Sequence, residues 1–158
     1  MRAARIKIKN FRGIKQATLI LPNHGVFIGD NNTGKTTILE ALDLALGPDR
    51  LNRRPPVDEH DFFRGLYTFS TDVDMNEGEV ADDDNPNPLT DEAESTEEAP
   101  RIEIEVTVAD LTEEQKGTFA DYIEFWDSVT NKLYDAPDPA GVDAANITEA
   151  LRVTFHGW

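Results

Sequence analysis

The chain has 158 residues, no cysteine and a formal net charge of −16. One domain fits that length, and the composition excludes disulfides, Cys-based zinc sites and thiol chemistry. The charge is uneven: residues 1–70 hold 11 Lys and Arg against 7 Asp and Glu, whereas residues 71–100 hold 12 Asp and Glu and no base, so a long-range attraction to nucleic acid is excluded for all but the first part.

Residues 5–11 predict a strand, because Ile6, Ile8 and Phe11 alternate with Lys7 and Lys9. Arg12-Gly13 is a turn signal, and Ala17–Leu21 predicts a second strand paired as an antiparallel hairpin. Pro22-Asn23-His24-Gly25 breaks it. Val26-Phe27-Ile28 has no alternation and predicts a short strand buried on both faces.

A glycine-rich segment follows, Gly29-Asp30-Asn31-Asn32-Thr33-Gly34-Lys35-Thr36. It fits the P-loop pattern of Gly, four residues, then Gly-Lys-Ser/Thr. Glycines permit backbone angles that other residues resist, so the loop can turn its N–H groups towards phosphate oxygens. Lys35 reaches the β- and γ-phosphates, and the Thr36 hydroxyl is a hard oxygen ligand for Mg²⁺. The expected nucleotide-binding residues are Gly29, Asn31, Asn32, Thr33, Gly34, Lys35, Thr36 and Thr37, with ATP and Mg²⁺ as cofactors and Thr36 as the metal ligand. An apolar helix from Thr36 to Leu46 completes the strand–loop–helix order that the motif requires. Being apolar on most sides, it is expected to be largely buried, with Gly47 as a left-handed cap and Pro48 as its stop.

Residues 48–70 read as irregular. Arg50, Arg53 and Arg54 form a basic group, with a solvated loop the favoured reading over a DNA contact. Residues 71–99 are rich in Asp, Glu, Asn and Pro and poor in large apolar side chains, which predicts a disordered acidic insertion. Ile102, Ile104, Val106 and Val108 alternate with polar residues as a half-exposed strand. Thr112-Glu-Glu-Gln115 is a capping box, and Phe119, Tyr122, Ile123, Trp126 and Val129 predict the helix it opens. Leu151, Val153 and Phe155 predict a last strand.

Ile6-Lys-Ile-Lys-Asn-Phe-Arg-Gly13, the P-loop and Ile38-Leu-Glu-Ala-Leu42 together resemble the start of ABC-type ATPase heads, the group that includes SMC, RecF and OLD proteins. SMC-type heads carry Asn-Gly where this chain has Asn31-Asn32, and the Asn-Asn pair resembles the OLD (overcoming lysogenization defect) ATP-dependent endonucleases. Asp61-Phe-Phe and the order of the later elements are also OLD-like. The resemblance implies an α/β P-loop NTPase of ABC-head type, with a mixed sheet and an N-terminal antiparallel hairpin, here the N-terminal part (1–158) of the ATPase domain. It implies a homodimer closing over ATP in the full-length protein, a C-terminal Toprim domain that cuts DNA, and Arg12 beside the nucleotide.

Other features of that family are not legible in this sequence. Val106-Thr-Val-Ala-Asp110 alternates and so does not read as a doubly buried Walker B strand. There is no Ser-Gly-Gly signature loop, and Asp82-Asp83-Asp84 reads as a solvated charge run. His24, His60 and His156 have no ligand spacing. No catalytic residue is assigned, and DNA binding by this chain alone is expected to be weak or absent. The alternatives are a stand-alone nucleotide-binding module acting through protein partners, or a small complete NTPase, which the scarcity of arginine after Arg64 disfavours. No run approaches the ~20 apolar residues of a membrane span and the start lacks a signal peptide's apolar stretch, so a cytoplasmic protein is expected.

Overall fold

A computed structural model describes residues 1–31, 33–48, 57–65 and 101–158. Asn32, the basic group Arg50, Arg53 and Arg54, and the acidic stretch 71–99 with Asp82–Asp84 lie outside the described residues.

The first two predicted strands form, with wider bounds. Arg2–Phe11 (β1) and Ile14–Ile20 (β2) pair as an antiparallel hairpin across Arg12-Gly13, with Ile6 opposite Leu19 and Ile8 opposite Ala17. Period-2 alternation puts Ile6 and Ile8 inside, 0% and 1% exposed, while Lys7 and Lys9 face out. The chain then runs through the P-loop into Lys35–Leu46 (α1). After the undescribed segment come Ile102–Ala109 (β3), Glu113–Thr118 (α2), Ile123–Asp127 (β4), Lys132–Tyr134 (β5) and Ile147–Gly157 (β6).

The six strands form one sheet in the order β2-β1-β3-β6-β4-β5. Every pairing among the described residues is antiparallel, so the expected mixed sheet is corrected to an antiparallel one there. Helix α1 crosses one face, against β1, β3 and β6. The main core lies between them, with Ile38, Ala41 and Leu44 of α1 against Ile6, Ile104 and Val106. Burying a side chain such as Ile38 or Leu44 stabilises the fold by about 1.5–3 kcal/mol. The helix is buried on one side only: Leu39 and Leu46 remain 56% and 44% exposed, against the expectation of general burial.

A smaller cluster on the opposite face gathers Ala4, Ala109, Trp126 and Ala150. There Thr107, on the face of β3 expected to be half-exposed, is fully buried.

Three further expectations are corrected. Val26-Phe27-Ile28 is not a strand, and Val26 and Ile28 are 85% and 91% exposed. No described strand pairs with it, so it lacks sheet neighbours among the described residues, and only Phe27, 40% exposed, is partly covered. The capping box at Thr112 forms, with the Thr112 hydroxyl accepting from the Gln115 N–H and Gln115 Oε1 accepting from the Thr112 N–H. Its helix nevertheless has only 6 residues, with Phe119 as its C-cap; Tyr122 falls in a 3-10 turn at Ala120–Tyr122, Ile123 and Trp126 in β4, and Val129 in the turn beyond it. Finally, Gly47 ends α1 in an extended conformation (φ −67°, ψ 147°) rather than a left-handed one. A Cβ there would sit 2.4 Å from both the carbonyl and the carboxylate oxygen of Asp43, so close approach is the reason for glycine.

Candidate functional site: the P-loop and the turn beside it

The two motif glycines serve different physical needs. Gly34 stands at φ +86°, in the left-handed region, immediately before α1. Gly29 is needed for space, because a Cβ there would lie 3.0 Å from the Thr33 hydroxyl. That hydroxyl donates to the Asp30 carbonyl at 2.9 Å and fixes the loop's return.

Lys35 folds back over this loop. Its ammonium donates to the carbonyls of Gly29 at 2.7 Å and Asp30 at 2.6 Å, and lies 3.3 Å from the Thr33 hydroxyl. The first turn of α1 carries no acidic residue, and no side-chain hydrogen bond caps it. The N–H groups at the start of this 12-residue helix therefore keep their pull on an anion.

These residues meet at an open cavity of about 730 Å³, lined by Asn31, Thr33, Gly34, Lys35, Thr36 and Thr37 of the P-loop and α1 and by Gly13 and Ile14, the wall that the hairpin turn supplies. Six of the sequence-predicted site residues are thus brought together at one cavity. Gly29 shapes the loop behind it, and Asn32 lies outside the described residues. Gly13 and Ile14 are an addition that the motif alone does not reveal; the antiparallel hairpin brings them there.

Arg12 precedes that wall, in a left-handed conformation at φ +48°. Its N–H donates to the Asp61 carbonyl at 2.7 Å, its Nε donates to the Asp61 carboxylate at 2.7 Å, and its Nη1 pairs with Glu40 of α1. Partial burial opposes the guanidinium charge, but the hydrogen bonds it donates to Asp61 and Glu40 outweigh it and raise the Arg12 pKa. Asp61 is itself 4% exposed and also accepts from the Asp58 N–H at 3.2 Å, in a capping box that opens a 3-10 turn. The two carboxylates lie 28 and 49 residues from Arg12, so only the fold assembles them.

Asp110 is remote from this place. It caps the end of β3 beside Arg2, to which it is paired at 2.8 Å. Arg2 and Phe11 stand at opposite ends of β1, about 30 Å apart at about 3.3 Å per residue. Glu103 and Glu105 are engaged with Lys9 and with Arg5 and Lys7 respectively. Among the described residues no three His, Asp or Glu side chains gather as a metal site.

The AAA ATPase domain family matches residues 1–135 of the chain. The chain belongs to that family. Shorter stretches are similar to individual proteins: 82 residues are 40% identical to the DNA replication and repair protein RecF of Agrobacterium fabrum, covering 49% of this chain and 22% of that protein. A stretch of 43 residues is 46% identical to the OLD nuclease of Thermus scotoductus, covering 27% of this chain and 8% of that one. A stretch of 45 residues is 44% identical to the uncharacterized protein YbjD of Escherichia coli K12, covering 28% and 8%. The chain thus spans less than a quarter of the length of these relatives. The OLD- and RecF-like resemblance drawn from the P-loop and its flanks agrees with them. The matched region, residues 1–135, is an ATPase domain by that family's description and contains the P-loop described above.

Proposed function

We propose that this chain binds ATP·Mg²⁺ at the P-loop cavity, as the N-terminal ATPase part of an OLD-like, ATP-dependent DNA endonuclease. The observation that carries the proposal is convergence. Lys35, the left-handed Gly34 and the first residues of α1, whose start is uncapped, all line the same cavity. Polyphosphate suits this donor set: a cation, aligned N–H groups and no acidic residue in the first turn of α1. On binding, Lys35 exchanges the Gly29 and Asp30 carbonyls for phosphate oxygens, which hold an ammonium more strongly because both partners are charged. Thr36, exposed at the cavity, offers its hydroxyl to Mg²⁺, and the metal would neutralise part of the phosphate charge.

DNA cleavage belongs to this proposal through the relatives, one named an OLD nuclease and another a DNA replication and repair protein; dimerisation belongs to it only through the resemblance to ABC-type heads. The absence of cysteine and the need for ATP agree with a cytoplasmic setting, and no helix among the described residues is long and apolar enough to cross a membrane. By itself the chain contributes phosphate binding. Each of the carboxylates followed above (Glu40, Asp61, Glu103, Glu105 and Asp110) is engaged by a base, Glu40 and Asp61 by Arg12 beside the cavity and the other three on the sheet, so none of the five is free to orient a hydrolytic water.

The test is displacement of a fluorescent ATP analogue in the presence of Mg²⁺. ATP and inorganic tripolyphosphate should compete, and adenosine should not. Adenosine competing as well as ATP would contradict a site built for phosphate.

A further inference from the structure

Arg12 opens the turn between β1 and β2 and is tied to α1, the P-loop helix, through Glu40. The next two residues, Gly13 and Ile14, line the P-loop cavity. Glu40 lies on α1 five residues beyond Lys35, about 7.5 Å along the helix axis at ~1.5 Å per residue. Asp61 approaches from the other side and holds Arg12 by both main chain and side chain. The strand preceding Arg12 is tied to the same segment by a bridge between Phe11 and Phe62. Buried Asp61 is locked in turn by the Asp58 N–H.

We propose that Asp61 and Glu40 are positioning residues for the nucleotide site: by gripping Arg12 from two sides they fix the Arg12–Ile14 turn against the P-loop helix and so set the width of the cavity. The proposal rests on the reading of that cavity as an ATP site. A planar guanidinium suits the task, because it can engage two carboxylates in different directions at once. A left-handed Arg12 needs such anchoring, since a non-glycine residue leaves that conformation when nothing holds it. The role is separate from direct phosphate contact, which the loop and Lys35 supply.

The test is a calorimetric double-mutant cycle on the 158-residue chain, with ATP·Mg²⁺ as the probe and the nucleotide-free thermal midpoint recorded for each variant. Asp61→Asn nearly preserves shape and should weaken binding about tenfold, the scale of a lost hydrogen bond to a charged group. Arg12→Ala should do the same, and the combined variant should be no weaker than the worse single one. Arg152→Ala removes the same charge from an ion pair with Glu124 on β6 and β4 and should leave affinity unchanged, even where it lowers the thermal midpoint. Glu40→Gln, on the helix surface, serves if Asp61→Asn does not fold, and should also weaken binding. Additive losses from Arg12 and Asp61 would overturn the proposal, because Arg12 would then act on the nucleotide independently. Equal losses in Arg152→Ala would overturn it as well, as a general effect of charge or stability. A Lys35→Ala variant measured alongside separates the two levels: if it binds as wild type does, the ATP site itself is refuted; if it does not bind while Asp61→Asn and Glu40→Gln bind normally, only the positioning role fails.

Discussion

The guanidinium of Arg5 lies over the ring of Trp126, 4.9 Å from its centroid, and joins the first strand to the far side of the sheet. Arg5 is 6% exposed and also donates to Glu105 and to the Asn131 carbonyl, each at 2.8 Å. On the sheet face away from α1, the small cluster of Ala4, Ala109 and Ala150 is therefore covered by one aromatic side chain and the cation stacked on it.

Truncating the aromatic partner tests that closure. Trp126→Ala should lower stability by about 3–5 kcal/mol in urea denaturation, through lost area and an unfilled cavity. A loss below about 1 kcal/mol would mean that the second cluster contributes little.

The two loop glycines should respond differently. Gly34→Ala places a side chain at φ +86° and should cost about 1–2 kcal/mol, with a loss of ATP affinity as the loop reshapes. Gly29→Ala meets the Thr33 side chain, 3.0 Å away at its hydroxyl, without a positive φ to strain it, and should cost less in the same thermal scan. The reverse order would contradict the roles assigned to them.

Asp127 provides a pH dependence. Hydrogen bonds from the Thr130 hydroxyl and the Val129 N–H hold its carboxyl below the ordinary carboxylate range. A depressed folded-state pKa stabilises the fold above the unfolded value, near ~3.9, and that contribution is lost as pH falls through the folded value. Asp127→Asn should therefore be less stable than wild type at neutral pH, with the difference shrinking below about pH 4. A difference that stays constant across an acid titration of thermal midpoints would rule out the linkage.

Asp110, at the far end of β3, should not take part in nucleotide chemistry. Asp110→Asn should change ATP affinity by less than about twofold, as surface substitutions do, and the chain should release phosphate slowly with or without it. Turnover near ~1 s⁻¹ that disappears in this variant would place a catalytic carboxylate where the fold puts none.

The sequence made some of this legible for local reasons. Alternation at Ile6-Lys-Ile-Lys9 and Ile102–Val108 marked strands, and the P-loop is a contiguous signature whose helix must follow directly. It misled where periodicity was short. Phe119, Tyr122 and Trp126 have helical spacing, yet the Ile-Glu-Phe-Trp run pairs with β6 and becomes strand. Val26–Ile28 read as buried because apolar runs usually are, but burial depends on neighbours that no local pattern reveals. Gly47 was rightly marked as a helix end and wrongly explained, because its constraint comes from Asp43 rather than from its own φ. The Arg12–Asp61–Glu40 cluster joins residues far apart in sequence and has no spacing signature; Asp61-Phe-Phe was its sole local trace.

The central claim is that Lys35 and the start of α1 form a phosphate site. Isothermal titration of the 158-residue chain with ATP·Mg²⁺, beside Lys35→Ala, tests it most directly. The wild type should bind saturably and the variant should lose at least about a hundredfold in affinity, the scale expected when a charge-assisted partner of bound phosphate is removed. Equal affinity of the two proteins would contradict it.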